Sequence, residues 1–501
     1  MTPNETHWSF HLISTVFLAA DLTIRIGLSI RVIMRKRPYG VSLAWLVIIL
    51  LFPFFGGFFY LLFGENRIPE KRTERIKMSF HHYQHWLSTL RDRAPVDWTK
   101  LNSGLFPLHH LAQSHTGLPA MAGNHLEILD TPESVIGAII RDIDRATSTC
   151  HLQFYIWAEG GQINQVIDAL LRAAHRGVTC RILLDAIGSR DFLGSPTAQV
   201  MKQAGIRIRE SLPAGIFTAL FARIDIRNHR KVIVIDGSVA YTGSQNMADP
   251  YVYRQDTGVG NWIDVTVRIQ GPVVESLAGT FIYDWFLEAG LKRYKSKSLR
   301  EDVDTVRYLA DVLRQEPAGT VAVQLVPSGP GFISDAIHSL LLTTIYAARK
   351  ELILTTPYFI PDDALLTALK SAPLRGVEVT IIIPEKNESR LAAYATRARF
   401  DELIRAGVRL KLFTGGFLHS KTITIDGNFA LFGSVNLDMR SFWLNFETTL
   451  LIYDHGVSSQ LRDLQLRYAA GSYELDPEQF ARRSVFERFK ENAVLLIGPL
   501  L

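Results

Sequence analysis

Two stretches of the 501-residue chain carry the same set of reactive side chains. Asn228–Asn246 reads NHRKVIVIDGSVAYTGSQN and holds His229, Lys231, Asp236, Gly243-Ser244 and Asn246. Leu418–Asn436 reads LHSKTITIDGNFALFGSVN and holds His419, Lys421, Asp426, Gly433-Ser434 and Asn436. The spacing from histidine to lysine, aspartate, glycine and asparagine is identical in the two. One His-x-Lys with a downstream aspartate can arise by chance; two with matching tails hardly can.

The residue types point to phosphate chemistry. A neutral imidazole attacks or accepts a proton, and a lysine ammonium supplies fixed positive charge where negative charge gathers. KVIVID and KTITID alternate, which predicts β-strands, and residues two apart on a strand share a face. Ser244, Asn246, Ser434 and Asn436, at the end of the next strand, offer hydroxyl, amide and backbone N–H donors to phosphate oxygens. Asp236 and Asp426 join the histidines and lysines as catalytic candidates, although Asp-Gly is also a turn signal. A zinc site is disfavoured, because a protonated lysine is a poor ligand and no His/Cys spacing accompanies it. No metal and no cofactor is expected.

These motifs, with the flanks GSQNMADPYV and GSVNLDMRSFWLNFE, resemble the phospholipase D superfamily, and more narrowly bacterial cardiolipin synthases of the two-motif type. The resemblance covers most of the chain. It implies a phosphatidyltransferase with a phosphohistidine intermediate, His229 as nucleophile and His419 as acid/base; the symmetry of the motifs does not itself order them. A nucleophilic imidazole needs its other nitrogen held, usually by a carboxylate. The resemblance gives that role to Asp264 in NWIDVTV and Glu447 in NFETTLL, downstream of His229 and His419 at unequal spacing. The implied reaction joins two phosphatidylglycerol molecules into cardiolipin and glycerol. Alternatives are hydrolysis by water and phosphatidylethanolamine as donor. A nuclease lacks support from any basic groove with stacking aromatics, so no nucleic acid partner is expected. Two intact motifs argue against a silent lipid-binding protein. The expected partners are phosphatidylglycerol, other anionic phospholipids and the bilayer, in a bacterial inner membrane crossed more than once.

The expected fold is α/β: two similar phospholipase D-like halves, each a mixed sheet flanked by helices, facing each other across a pseudo-twofold so that both motifs line one pocket. A transmembrane helical hairpin precedes them. The boundaries read as a membrane anchor at 1–67, a basic connector at 68–117, halves at 118–290 and 321–475, a charged linker at 291–320 and a C-terminal amphipathic helix at 476–501. The halves repeat beyond the motifs: Arg176-Gly177-Val178 recurs as Arg375-Gly376-Val377, and Ala204-Gly205-Ile206-Arg207 as Ala406-Gly407-Val408-Arg409. Hydrophobic residues make up 47%, and the net charge of +5 suits anionic partners. Cys150 and Cys180 form no framework and read as core residues.

Within the anchor, Val41–Phe63 carries no charge and is long enough to span a bilayer, with Pro53 as a kink. The earlier run Trp8–Ile33 is interrupted by Asp21, Arg25 and Arg31, of which Asp21 and Arg25 are spaced to pair on a helix. In the tail, Phe486, Phe489, Ala493 and Leu496 follow helical spacing and suit either packing on the domain or a membrane surface. The halves differ by an insertion. The stretch from Gly205 to His229 is twice as long as its counterpart from Gly407 to His419. The apolar centre of that insertion, Leu212–Phe221, reads as a core cover or a lipid entry. Arg223, Arg227 and Arg230 read as attractors of anionic headgroups.

Overall fold

A computed structural model of the chain describes residues 3–35, 39–65, 93–101, 103–213, 225–288, 312–330 and 335–496, with Glu74, Trp86, Leu87, Thr89, Leu90, Arg223 and Gly498 as isolated positions. Two compact units make up the chain: Met1–Thr73 with Ala214–Asp225, and Glu74–Pro213 with Ile226–Leu501. Both motifs belong to the second. Most of the insertion's apolar centre, most of the charged linker and much of the first part of the connector lie outside the described residues.

The second unit is organised by its strands: β1 (Ala120–Leu129), β2 (Thr149–Phe154), β3 (Thr179–Asp185), β4 (Arg207–Ser211), β5 (Arg227–Asn228), β6 (Val232–Ile235), β7 (Val239–Gly243), β8 (Trp262–Ile263), β9 (Thr266–Gln270), β10 (Val321–Ser328), β11 (Glu351–Thr355), β12 (Phe359–Ile360), β13 (Glu378–Pro384), β14 (Arg409–Phe413), β15 (Phe417–Leu418), β16 (Thr422–Ile425), β17 (Phe429–Gly433), β18 (Leu437–Asp438), β19 (Asn445–Tyr453) and β20 (Ser472–Glu474). The main sheet runs β20-β14-β13-β11-β16-β17-β19-β10-β1-β9-β7-β6-β2-β3-β4. Outward from the central antiparallel pair β1–β10, one side reads β9-β7-β6-β2-β3-β4 and the other β19-β17-β16-β11-β13-β14. The strands β2-β3-β4 on one side and β11-β13-β14 on the other are parallel, β20 adds an antiparallel edge beyond β14, and the inner pairs are antiparallel. Parallel strands need crossover helices. Ile163–His175 and Asp363–Leu374 supply the β2–β3 and β11–β13 crossings. On one face, Val274 and Leu277 of Val273–Leu287 and Leu461 and Leu464 of His455–Ala470 share a single apolar core with Val234, Val267, Leu325 and Ile452 from both sides of the sheet.

The repeated Arg-Gly-Val and the motif aspartates fix equivalent corners. Arg176 donates to the carbonyls of Ile143 (2.8 Å) and Ala146 (3.2 Å), at the end of the helix Pro132–Arg145. Arg375 does the same to Ile345 (2.8 Å) and Ala348 (3.2 Å), at the end of Ala336–Ala347. The carboxylate of Asp236 accepts the amides of Thr147, Ser148 and Thr149 just beyond the first of these helices, each at 2.8 Å. Asp426 accepts those of Arg349 (3.0 Å), Lys350 (2.7 Å) and Glu351 (2.9 Å) beyond the second. Both aspartates adopt left-handed backbone, φ 48° and 53°, which Asp tolerates better than most residues.

The first unit departs from the hairpin. Its described helices are α1 (Pro3–Met34), α2 (Tyr39–Leu51) and α3 (Pro53–Phe63). The single second span expected at Val41–Phe63 is two helices, α2 and α3, because Pro53 opens a new helix instead of kinking one. Among the described residues, no helix is long and apolar enough to cross a membrane. Asp21 and Arg25 pair as their spacing suggests, at 2.7 Å. Arg31 and the Tyr60 hydroxyl both engage the buried Glu65, at 2.6 and 2.9 Å.

The tail also differs from the single helix expected. A short helix, Pro477–Ala481, is followed by Val485–Leu495, which starts at a Ser484 cap. The second helix packs through Val494 and Leu495 on Ile360, Ala392 and Ala395, and its Glu491 binds Arg397 at 3.0 Å. Phe486 and Phe489 are each 67% exposed, so the aromatic side of the helix faces away from the unit.

Candidate active site

Each motif histidine is placed by the other motif's strand. Arg227-Asn228, just ahead of His229, pair in parallel with Asn445-Phe446, just ahead of Glu447, and the His229 amide donates to the Phe446 carbonyl at 2.9 Å. Phe417-Leu418, ahead of His419, pair in parallel with Trp262-Ile263, ahead of Asp264, and the His419 amide donates to the Ile263 carbonyl at 2.9 Å. The carboxylates are therefore exchanged. His229 Nδ1 lies 3.0 and 2.9 Å from the two oxygens of Glu447, and His419 Nδ1 lies 2.7 Å from Asp264. This corrects the within-copy pairing and explains the unequal spacing, since distance from a residue's own histidine is irrelevant. Glu447 and Asp264 still occupy equivalent places. Ser434 Oγ meets both backbone groups of Thr448, the residue after Glu447, and Ser244 Oγ meets both of Val265, the residue after Asp264. The difference is loop length: the chain from Asn246 to Asp264 is longer than the chain from Asn436 to Glu447.

His229 and His419 line one cavity of about 880 Å³, with Asn246, Asn436, Arg227 and Arg440 also in its wall. With Nδ1 engaged, Nε2 is the ring nitrogen left to act in it. Tyr155 stands edge-on to His229, while Trp262 and Phe417 flank His419. Lys231 Nζ donates to the carbonyl of its own motif's His229 at 2.8 Å, and Lys421 Nζ to that of His419. Burial lowers the pKa of both imidazoles: His229 moves down against the pull of Glu447, and His419 falls to about 3, helped by Lys421 and opposed by Asp264. Both rings are thus neutral at neutral pH. Burial also brings Lys231 down to about 8 and Lys421 well below its usual value, the carboxylates opposing. Asp264, despite burial, is held near 2 by His419 and Lys421.

The comparisons agree with this geometry. The family described as "Cardiolipin synthase, PLD-like domain" matches residues 139–285 and 341–465, and "Phospholipase_D-nuclease N-terminal" matches 24–65. Cardiolipin synthase A of Yersinia pseudotuberculosis serotype O:1b (strain IP 31758) is 41% identical over 475 residues, covering 95% of this chain and 96% of its own; that of Yersinia pestis is similar to the same degree. The chain belongs to the cardiolipin synthase family. It is an enzyme of the phosphatidyltransferase class. Phosphatidylserine synthase of Haemophilus influenzae Rd KW20, at 18% identity, shares the fold with a TM-score of 0.56 over 79% of this chain and 100% of that one.

Within this cardiolipin synthase fold, several candidate residues do other work than expected. Asp236 and Asp426 close the far ends of β6 and β16 on backbone amides and do not reach the cavity. Ser434, fully buried, donates to Glu447 Oε2 at 2.5 Å, and Ser244 supports Asp264 in the same way, so these hydroxyls brace the carboxylates behind the histidines. The preceding glycines make that possible. A Cβ on Gly243 would sit 2.3 Å from the Val265 carbonyl, and one on Gly433 2.1 Å from that of Thr448. Asn246 and Asn436 do line the cavity, and each keeps a buried side-chain amide atom without a partner, Nδ2 and Oδ1. Arg230 is buried against Asp284 (2.5 Å) and the Glu447 carbonyl (3.0 Å), and Arg223 pairs with Asp225 (2.5 Å), so neither is arranged as a headgroup attractor. Of the three arginines expected to attract headgroups, Arg227 is the one in the cavity wall, beside Asp185.

Proposed function

We propose that the chain synthesises cardiolipin from two phosphatidylglycerol molecules through a phosphatidyl-histidine, with His229 as nucleophile and His419 as acid/base. The observation that carries this is the reciprocal hold on the two imidazoles at one cavity: each Nδ1 is engaged by a carboxylate from beyond the other motif. The order of the histidines rests on the family resemblance. In the first step His229 Nε2 attacks phosphorus, the P–O bond to the glycerol headgroup breaks, and His419 gives its proton to the departing oxygen. A bound anionic phosphodiester raises the pKa of His419 so that it carries this proton. In the second step His419 takes the proton of a hydroxyl on a second phosphatidylglycerol. That oxygen attacks phosphorus, and the P–N electron pair returns to His229. Lys231, Lys421, Asn246 and Asn436 hold the non-bridging oxygens.

The two sides of the sheet are two phospholipase D-like halves about a pseudo-twofold, a reading supported by their equal strand order and exchanged β5 and β15 contacts. The first unit is a membrane anchor. It is supported by its exposed apolar side chains, Trp8, Phe10, Ile13, Val16 and Phe17 on α1 and Leu43, Phe54, Phe55 and Phe58 on α2 and α3, and by the neutralisation of Asp21 with Arg25. α2 and α3 together supply the second crossing of a multi-pass protein in the bacterial cell membrane. Purified enzyme with phosphatidylglycerol as the sole lipid tests the reaction: cardiolipin and glycerol should form in equal amounts. Phosphatidic acid as the main product would make the enzyme a hydrolase. Ethanolamine release from mixed vesicles, with no glycerol released, would make phosphatidylethanolamine the donor.

A further inference from the structure

The two copies handle phosphate alike, but the cavity around them is unequal, and the inequality lies on one side. The loop between Asn246 and Asp264 is the longer one, and it carries Arg254 in a left-handed conformation, φ 51° and ψ 37°, which a non-glycine residue keeps only where its surroundings over-determine it. Arg254 Nη1 lies 2.7 Å from Glu388 Oε2, across the cavity in the other half, and the Tyr358 hydroxyl lies 2.9 Å from Glu388 Oε1. All three side chains line the cavity. Of its other carboxylates outside the histidine pairs, Glu159 and Asp191 are exposed, and Asp438 accepts the Ser441 amide at 2.7 Å. Glu388 is only 10% exposed and no step of the mechanism uses it. The cluster joins the His419 side through ring contacts: Tyr253 to Trp262 to His419, and Tyr358 to Phe417 to His419. His419 is the proposed acid/base, so alcohols leave and enter on its side.

We propose that Glu388, Arg254 and Tyr358 form a polyol subsite that binds the glycerol headgroup, first as the leaving alcohol and then as the accepting one. A hydroxyl both donates and accepts. A carboxylate shared between a guanidinium and a phenol offers acceptor lone pairs beside N–H donors, the set that neighbouring hydroxyls need. An ammonium headgroup fits poorly, because Arg254 already neutralises Glu388 and repels a second cation. The subsite rests on the transferase reading above, and its acceptor chemistry can be measured apart from it.

The full-length enzyme and its Glu388→Gln and Tyr358→Phe variants are given phosphatidylglycerol vesicles with labelled glycerol or labelled methanol, and label entering lipid is followed. Both alcohols attack the same phosphoenzyme, but only glycerol offers a neighbouring hydroxyl. The glycerol concentration for half-maximal exchange should rise about tenfold in each variant, the loss expected for one hydrogen bond to a charged group, while the methanol dependence moves less than about twofold. An unchanged glycerol dependence would overturn the subsite, as would equal losses with both alcohols. If Glu388→Gln does not fold, Tyr358→Phe, which only deletes a hydroxyl, decides alone. Wild-type enzyme that transfers phosphatidyl groups to no alcohol would instead overturn the transferase reading.

Discussion

Lys231 carries a charge that responds to pH near neutrality. Its ammonium is almost wholly buried, and that burial brings its pKa to about 8 while Glu447, Asp264 and Asp185 oppose the loss. A lysine with a lowered pKa is charged below that value and neutral above it. The free enzyme should therefore lose the charge proposed to meet the phosphate as pH rises through about 8. The profile of kcat/KM against pH should fall on its alkaline side near that value. Lys231→Met should remove that limb along with about 10²–10³-fold of turnover, by analogy with loss of an oxyanion donor. A flat profile far into the alkaline range would show that Lys231 is not what binds the anion. At this scale the sequence was informative about the histidines and lysines, because the whole motif recurs at identical spacing, although His229–Lys231 and His419–Lys421 lie just ahead of β6 and β16 and not on them. It also named Asp264 and Glu447 as the carboxylates beside the imidazoles, but not which meets which, because the pairing crosses between copies and no spacing within a copy encodes it.

At the scale of elements, the aspartate of the motif is the stitch between a strand end and a helix end. Asp236→Ala should lower stability by about 1–3 kcal/mol, since three amides lose their acceptor and alanine is strained at a left-handed position. Turnover per folded molecule should stay within about twofold, because no catalytic charge is removed. Thermal unfolding beside activity at equal folded fraction checks this, and a selective loss of turnover would return Asp236 to the catalytic set. Asp-Gly could be read from the sequence as a turn, but its partners, Thr147–Thr149, lie too far along the chain to be seen there. The tail teaches the reverse. Helical spacing was visible, yet which face would be covered depended on Ile360 and Ala392, distant in sequence. With Phe486 and Phe489 outward and Arg488 exposed between them, the helix Val485–Leu495 suits the interface of an anionic bilayer. Replacing both phenylalanines by serine should weaken binding to phosphatidylglycerol vesicles with little change in thermal stability. Sedimentation with vesicles checks it; unchanged binding with lost stability would make the helix a structural cover.

Over the whole molecule, the α/β class and the repeated strand order were legible, since KVIVID, KTITID and the paired Arg-Gly-Val turns recur at matching places. The apolar start was legible as apolar, but not its division: hydropathy sums over Val41–Phe63, whereas Pro53 lacks the N–H that one continuous helix would use there. In the proposed mechanism neither half completes the reaction alone, since each imidazole is held by a carboxylate from the other side of the sheet centre. The most direct measurement of that account is the covalent intermediate. The enzyme is mixed with phosphatidylglycerol labelled in its acyl chains, quenched at alkaline pH where a phosphoramidate survives, and the labelled peptide is mapped by mass spectrometry. The account predicts label on His229, and its loss in Glu447→Ala while Asp264→Ala still forms some. Label on His419 would reverse the roles, and no label, with kinetics that require both lipids bound at once, would contradict the covalent mechanism.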